Sequence, residues 1–376
     1  MRRIVIIVLS ILLGTILLPG RVSAEGTKEA KAILLRPHNS EIVMDQKNST
    51  DRYSVAGLCK IPALLTLCRA FDEGLIPLDT EMEVSPKASK VPGPTAFLEA
   101  GEQVRAGELI KAAVMISAGD AIWTLMENAF GSEEIFLQNI GIVLKDAGVD
   151  LTLETCLGTG TLFSCDDLYR LGELAIESKT FLQYAGLYMD SLSHQKGSTT
   201  ELVNANRMIR SYGGCIGLLT GSSREDGYCG IFAAKRNEMT YLCCIIGSPT
   251  SEARFAEATQ LLDNAFANYK LETPASAGKT LYPEWPVLYG DRKTVDLVPH
   301  DNVVLLRSKA DGALEQSDDL PEALLAPLDP DVAVGNVTFT DAAGNTLAVV
   351  ALYPSEIVRS NGYPDVIRRL IASYLE

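Results

Sequence analysis

The sequence has little of the chemistry that metal sites and nucleic-acid binding require. Only three histidines occur in 376 residues, and the eight cysteines include no C-x-x-C pair. Zinc sites draw on such clusters, so we expect no metal centre. Acidic residues outnumber basic ones, and the formal net charge of −15 repels nucleic acid at long range. We therefore expect no nucleic-acid partner.

The N-terminus has no apolar run long enough for an ordinary transmembrane helix. Arg2 and Arg3 precede an apolar stretch of 15 residues at 4–18, whereas a membrane span needs about 20. Ala24 is a small residue suited to signal peptidase, so 1–24 is predicted to be a signal peptide. A retained membrane anchor is the alternative. Both place the rest of the chain outside the cytoplasm, in the cell envelope.

The even number of cysteines permits disulfides in an exported protein. However, Cys229, Cys243 and Cys244 lie in apolar, strand-like runs, where cysteine packs as a small hydrophobic residue. We therefore expect mostly buried thiols.

The distribution of periodic segments predicts two domains. Up to about residue 270, helical patterns alternate with strand-like runs, which is typical of a mixed α/β domain. The strand-like runs lie at 32–35, 41–44, 229–234 and 239–247. The helical patterns lie at 58–75, at 106–130 with an interruption near Ala118 and Gly119, at 132–148 and at 251–269.

The composition changes after residue 270. A proline-containing segment, 271–285, is predicted to link the mixed domain at 29–270 to a β-rich domain at 286–362. The final segment, 363–376, has apolar residues on one helical face beside Arg368 and Arg369. It is predicted to be an amphipathic helix, which either contacts the membrane surface or packs on its own domain.

Three short motifs follow one another in the first domain. They are Gly57-Leu-Cys-Lys60, Ser117-Ala-Gly119 and Leu219-Thr220-Gly221. In order and spacing they resemble the S-x-x-K, S-x-N and K-T-G motifs of serine-type D-alanyl-D-alanine carboxypeptidases, the peptidase S11-like low-molecular-weight penicillin-binding proteins. The β-rich segment resembles the C-terminal domain of that family. The resemblance implies a mixed α/β, serine β-lactamase-like transpeptidase domain, then a small all-β domain, and no cofactor.

The family's reaction explains why each motif is needed. A serine attacks the D-Ala–D-Ala carbonyl, and the lysine one turn later accepts its proton. Main-chain N–H groups stabilise the oxyanion, a function that the resemblance gives to Gly57 and Ser222. The second motif supplies a hydroxyl and an amide that orients the peptide. The third motif, with Thr220 and Gly221, holds the carboxylate end of the substrate, and Arg254 lies where the family has an arginine that helps to bind it.

All three motifs depart from the family pattern. Gly57 stands at the nucleophile position, Gly119 replaces the asparagine and Leu219 replaces the lysine. Glycine has no side chain, so no covalent intermediate forms there. We also expect the cleft to be more apolar and to attract a carboxylate less than an intact site does.

Cys59 and Ser193 are the two candidate replacements for the missing nucleophile. Cys59 lies two residues along the helix, which turns its side chain about 200° away from position 57. Ser193-His-Gln-Lys196 matches S-x-x-K literally, but in a polar loop far from the family position. We expect neither to replace the serine.

Each retained residue also has a purely structural interpretation. Lys60 is then a partly buried lysine paired with an acid, and Ser117 caps the following helix. Gly221 serves a strand–turn junction, and Arg254 is a surface cation. Structural and ligand-binding interpretations remain open for all four.

The sequence leaves three functions to compare. The favoured one is an inactive homologue in cell-wall metabolism that binds a peptidoglycan stem peptide or a cell-wall protein partner. The second is a working carboxypeptidase with a rearranged site. The third is a structural protein whose cleft binds nothing. Gly57 separates the first from the second, because a serine acyl-enzyme requires a hydroxyl there.

Overall fold

A computed structural model of the chain describes residues 29–362. This part falls into two units, which divide at Asn268. The predicted signal peptide at 1–24 and the predicted amphipathic helix at 363–376 lie outside the described residues. Across residues 29–362, no helix combines the length and the hydropathy that crossing a bilayer requires.

The first unit is built on a five-stranded antiparallel sheet with strand order β2-β1-β9-β8-β7. Its elements are, in chain order, β1 (Ala32–Pro37), β2 (Asp45–Lys47), a 3-10 turn (Ala56–Lys60), α1 (Ile61–Asp72), β3 (Glu81–Glu83), a second 3-10 turn (Ala88–Lys90), β4 (Gln103–Arg105), α2 (Ala106–Ile116), α3 (Gly119–Phe130), α4 (Glu133–Asp146), α5 (Cys165–Glu177), α6 (Lys179–Ala185), β5 (Met189–Ser193), β6 (Thr199–Val203), α7 (Met208–Ser211), β7 (Cys215–Ser223), β8 (Gly227–Arg236), β9 (Met239–Ser248) and α8 (Ser251–Asn268). β3 pairs with β4, and β5 pairs with β6.

Both faces of this sheet are covered by helices. Along β9, Cys243 and Ile245 belong to the apolar cluster that includes Leu262 of α8. Their neighbours Cys244 and Ile246 belong to the larger cluster formed with α1 to α6. Successive side chains of a strand point to opposite faces. A strand buried on both faces therefore has a continuous apolar sequence rather than an alternating one.

The second unit is all-β. Its strands are β10 (Tyr269–Ala275), β11 (Tyr282–Leu288), β12 (Thr294–Val298), β13 (Val303–Ser308), β14 (Glu315–Asp319), β15 (Leu324–Leu325), β16 (Gly335–Thr340) and β17 (Thr346–Pro354). Six of them form one sheet in the order β14-β16-β17-β12-β11-β15, and β10 pairs with β13. The predicted fold class, a mixed α/β domain followed by a small all-β domain, is confirmed.

Several boundaries agree with the sequence patterns. The interruption near Ala118 is real, because α2 ends at Ile116 and α3 begins at Gly119. Ser132 caps α4, and its hydroxyl accepts a hydrogen bond from the N–H of Ile135. All eight cysteines are free thiols, and six of them are buried. The expectation of mostly buried thiols is met.

Other boundaries differ, each for a tertiary reason. The second strand of the first hairpin is β2, at Asp45–Lys47, instead of 41–44. Ile42 and Val43 are apolar but exposed, so hydrophobicity did not mark the strand that pairs with β1. The helix predicted at 58–75 begins as a 3-10 turn, and α1 starts only at Ile61. The segment 271–285, expected to be a linker, contains most of β10 and the start of β11.

Tyr169 of α5 ties the helical layer to the end of β1. Its buried hydroxyl lies 2.5 Å from the carbonyl oxygen of Pro37 and 2.7 Å from Oε1 of Glu173. Burial, the largest cause, raises the pKa of this phenol, and the hydrogen bond with Glu173 adds to the effect. The neutral hydroxyl therefore acts as a link between the helix and the strand.

We predict that Tyr169→Phe lowers the free energy of unfolding by about 1–2 kcal/mol, because the buried Pro37 carbonyl loses its partner. The matched control is Tyr184→Phe. Tyr184 is also buried, and its hydroxyl has no hydrogen-bond partner within residues 29–362. The control should change stability by less than about 0.5 kcal/mol. Urea unfolding measures both, and equal losses would contradict the link.

Candidate functional site

Gly57 lies in the 3-10 turn that precedes α1. Apart from its two chain neighbours, a Cβ atom added to Gly57 would meet one atom of residues 29–362 within 4 Å, the Cα of Gly221 at 3.7 Å. That distance is ordinary van der Waals contact. The fold therefore has room for a small side chain at the nucleophile position, and the sequence does not supply one.

Gly221 packs directly against this turn. A Cβ atom at position 221 would lie 2.7 Å from the backbone nitrogen of Gly57 and 3.0 Å from that of Leu58. Gly221 pairs with Cys229 inside the β7–β8 ladder, so it does not mark a strand–turn junction. That structural interpretation was wrong, because the glycine is needed for the close approach of two backbones. The structure thus brings the first and third motifs together.

Lys60 is 6% exposed, and its Nζ donates a 2.7 Å hydrogen bond to the main-chain carbonyl of Ser117. Burial lowers the pKa of this ammonium, while Cys59 and Asp120 act in the opposite direction. The carboxylate of Asp120 accepts hydrogen bonds from the N–H groups of Ala96 and Leu98. Lys60 is therefore buried, as one interpretation held, but its hydrogen-bond partner is a carbonyl and not an acid.

Ser117 ends α2 with a left-handed backbone, at φ 54° and ψ 40°. The N-cap of α3 is Ala118, and no side chain caps that helix. The predicted capping function of Ser117 is therefore wrong, since this residue closes α2 rather than opening α3. Ser117 is 7% exposed, and its hydroxyl has no hydrogen-bond partner in the described part of the chain. Its contact with Lys60 is made by its main-chain carbonyl, which accepts the hydrogen bond from Nζ.

Gly119 faces Lys60, but the space in front of it is occupied. A Cβ atom at position 119 would lie 3.6 Å from Nζ of Lys60 and 2.7 Å from Cγ1 of Val91. The sequence analysis did not identify Val91, because it belongs to no motif. Asp120, which directly follows the second motif, was the one available indication that a neighbouring segment packs here. A buried acid at a helix start must find N–H partners, and that segment supplies them.

The first residue of the third motif is part of the core. Leu219 is 3% exposed, pairs with Ile231 of β8 and belongs to the main apolar cluster. Thr220 is half-buried, and Ser222 is exposed. Leu219 therefore presents no ammonium to the site, and the expectation of a more apolar cleft stays a prediction.

Arg254 of α8 is not a surface cation, contrary to that interpretation. It is 4% exposed, and its Nη1 donates to the carbonyls of Gly221 at 3.1 Å and Cys229 at 2.8 Å. The guanidinium also lies 4.5 Å from the ring centroid of Phe255. Burial lowers the pKa of Arg254 to about 10. Because α8 covers the sheet, the side chain reaches the backbones of β7 and β8 and fixes the strand that carries the third motif.

The two replacement nucleophiles do not join the site. The thiol of Cys59 points to the carbonyl of Leu157, with Sγ 3.3 Å from the oxygen, and burial raises its pKa. Ser193 ends β5, where it pairs with Thr199. Lys196 forms an ion pair with Glu99. Within residues 29–362 no group of three or more histidine, cysteine or acidic side chains is arranged to hold a metal ion.

Comparison with known proteins agrees with this arrangement. The profile of the D-alanyl-D-alanine carboxypeptidase family, peptidase S11, matches residues 20–250. That of the penicillin-binding protein 5 C-terminal domain matches residues 269–360. The D-alanyl-D-alanine carboxypeptidase DacF of Bacillus subtilis is 26% identical over 361 residues, covering 94% of this chain and 92% of that protein. DacC of Escherichia coli is 26% identical over 367 residues, covering 92% and 89%.

Solved structures show the same fold. Penicillin-binding protein 5 from Haemophilus influenzae superposes with a TM-score of 0.72 at 21% identity, covering 88% of this chain and 98% of that one. The D-alanyl-D-alanine carboxypeptidase DacD from Francisella tularensis gives a TM-score of 0.69 at 17% identity, covering 93% and 98%. The chain therefore belongs to the D-alanyl-D-alanine carboxypeptidase family of low-molecular-weight penicillin-binding proteins, which acts in cell-wall metabolism.

Proposed function

We propose that this chain is a catalytically inactive member of its family that acts by binding in the cell envelope. The observation that carries the proposal is Gly57. The turn has room for a Cβ atom: apart from Gly57 and its two chain neighbours, the one atom of residues 29–362 within 4 Å of it is the Cα of Gly221. Without a hydroxyl at this place, attack on the D-Ala–D-Ala carbonyl and the acyl-enzyme are both lost.

The other two losses point in the same direction. Gly119 supplies no amide to orient a peptide, and Leu219 is buried in the core instead of presenting an ammonium. When members of one catalytic unit are removed, the first loss already costs most of the rate acceleration. Reduced but useful turnover is therefore not expected.

What remains supports binding. Lys60 donates to the carbonyl of Ser117, and Arg254 donates to the carbonyl of Gly221, whose backbone packs against Gly57. We propose that these residues border the binding surface. A peptidoglycan stem peptide or a cell-wall protein is the proposed partner. Export through a cleaved signal peptide at 1–24 and peripheral membrane contact through 363–376 are part of the same proposal.

We predict that the native protein is not labelled covalently by a fluorescent penicillin. Gly57→Ser should become labelled, slowly, because the new hydroxyl would stand beside Lys60 while the other two motifs stay incomplete. Gly57→Ala is the matched control, since it differs from the serine variant by one oxygen atom, and it should stay unlabelled. Gel fluorescence over several hours measures all three proteins. Labelling of the native protein would refute the proposal.

A second prediction concerns the pH dependence that Lys60 gives to stability. Burial lowers its folded-state pKa, because the charged ammonium loses solvation in the native state. Between the lowered pKa and the unfolded value near about 10.4, the unfolded chain binds more protons, and native stability rises with pH. Lys60→Met removes this contribution.

The free energy of unfolding of Lys60→Met, minus that of the native protein, should thus be larger at pH 7 than at pH 10. Chemical denaturation at the two pH values measures it. Lys145→Met, at an exposed position of α4, is the control and should show no such change. A difference that is constant with pH would mean that burial does not perturb Lys60.

A further inference from the structure

Residues 91–98, which we call the strap, are attached to the second motif. The main-chain N–H of Gly119 donates to the carbonyl of Pro94 at 2.8 Å. The carboxylate of Asp120, 1% exposed, accepts from the N–H groups of Ala96 at 2.9 Å and Leu98 at 3.1 Å. The strap is therefore held against the start of α3 at Pro94, Ala96 and Leu98.

Val91 is the strap residue that enters the site. It is 9% exposed and belongs to the main apolar cluster. Its backbone, at φ −61° and ψ 127°, follows a 3-10 turn and precedes Pro92. A proline restricts the residue before it to such extended conformations, and the β-branched side chain has few rotamers. Val91 thus has little freedom to move aside.

The side chain of Val91 fills the place where the motif asparagine would begin. A Cβ atom on Gly119 would stand 2.7 Å from Cγ1 of Val91, far inside the contact distance of about 3.5–4.0 Å. The same Cβ would stand 3.6 Å from Nζ of Lys60. The blocked corner is therefore the one that faces the lysine.

We propose that Val91 is an internal plug that closes the second-motif corner of the old active site. The inference rests on the proposed loss of catalysis and deepens it, because the amide is not only absent but its space is taken by another side chain. Any ligand of the cleft must then bind without contacts at that corner. Restoring the three motif residues alone leaves the site obstructed.

A double-mutant cycle on thermal stability tests the plug without reference to activity. Gly119→Ala should lower the melting temperature by at least about 3 °C in the native background, and by clearly less when Val91→Ala is present. Gly141→Ala, on α4 where an added Cβ meets nothing within 4 Å, is the control. It should be harmless in both backgrounds. Equal effects of Gly119→Ala in the two backgrounds would overturn the proposal.

A labelling experiment with fluorescent penicillin carries the test to function. The Gly57→Ser/Gly119→Asn variant should react at least about tenfold more slowly than the same variant with Val91→Ala added. Equal, measurable rates would overturn the plug and leave the inactivity of the native protein untouched. Labelling of the native protein would instead overturn the proposed function. If neither variant reacts, the double-mutant cycle on melting temperature decides whether Val91 is the plug.

Discussion

The close approach of β7 to the turn before α1 is the contact on which the candidate site is built. At Gly221 and Gly57 the two backbones are so near that a side chain on Gly221 would strike the main chain of the turn. Arg254 holds the Gly221 carbonyl from the other side. Lys60 leaves the same turn and fixes the end of α2 through the Ser117 carbonyl. Close backbone packing and side-chain hydrogen bonds to main-chain carbonyls together keep these elements in place.

The proposed loss of catalysis is compatible with an intact fold, because different residues serve the two. Positions 57, 119 and 219, where the family has the groups that attack, orient and bind a substrate, do not require those side chains for the fold. Gly57 opens a small space, while Leu219 adds apolar burial to the core. By contrast, Gly221 and Arg254 support the sheet directly, and both are still present. The retained residues are those with a structural function as well as a place in the motif.

The sequence predicted much of this because several of its signals are local. The break between α2 and α3, the hairpin of β8 and β9 and the cap at Ser132 depend on neighbouring residues. The three motifs identified the site even though each had lost a member. Burial of Arg254 was not predictable, because it depends on where α8 packs on the sheet. Val91 was invisible for the same reason, since 28 positions in sequence separate it from the glycine that it faces. The strand at Asp45–Lys47 is polar and follows from pairing with β1, which hydrophobic patterning does not detect.

The proposed absence of turnover is the central claim about this chain, and it can be measured directly. Purified native protein would be incubated with a pentapeptide ending in D-Ala–D-Ala, beside Gly57→Ala and an enzyme-free blank, and free D-alanine would be quantified. We expect native protein and variant to release no more D-alanine than the blank. Release by the native protein above the blank would show that another nucleophile operates, and the inactive assignment would then have to be abandoned.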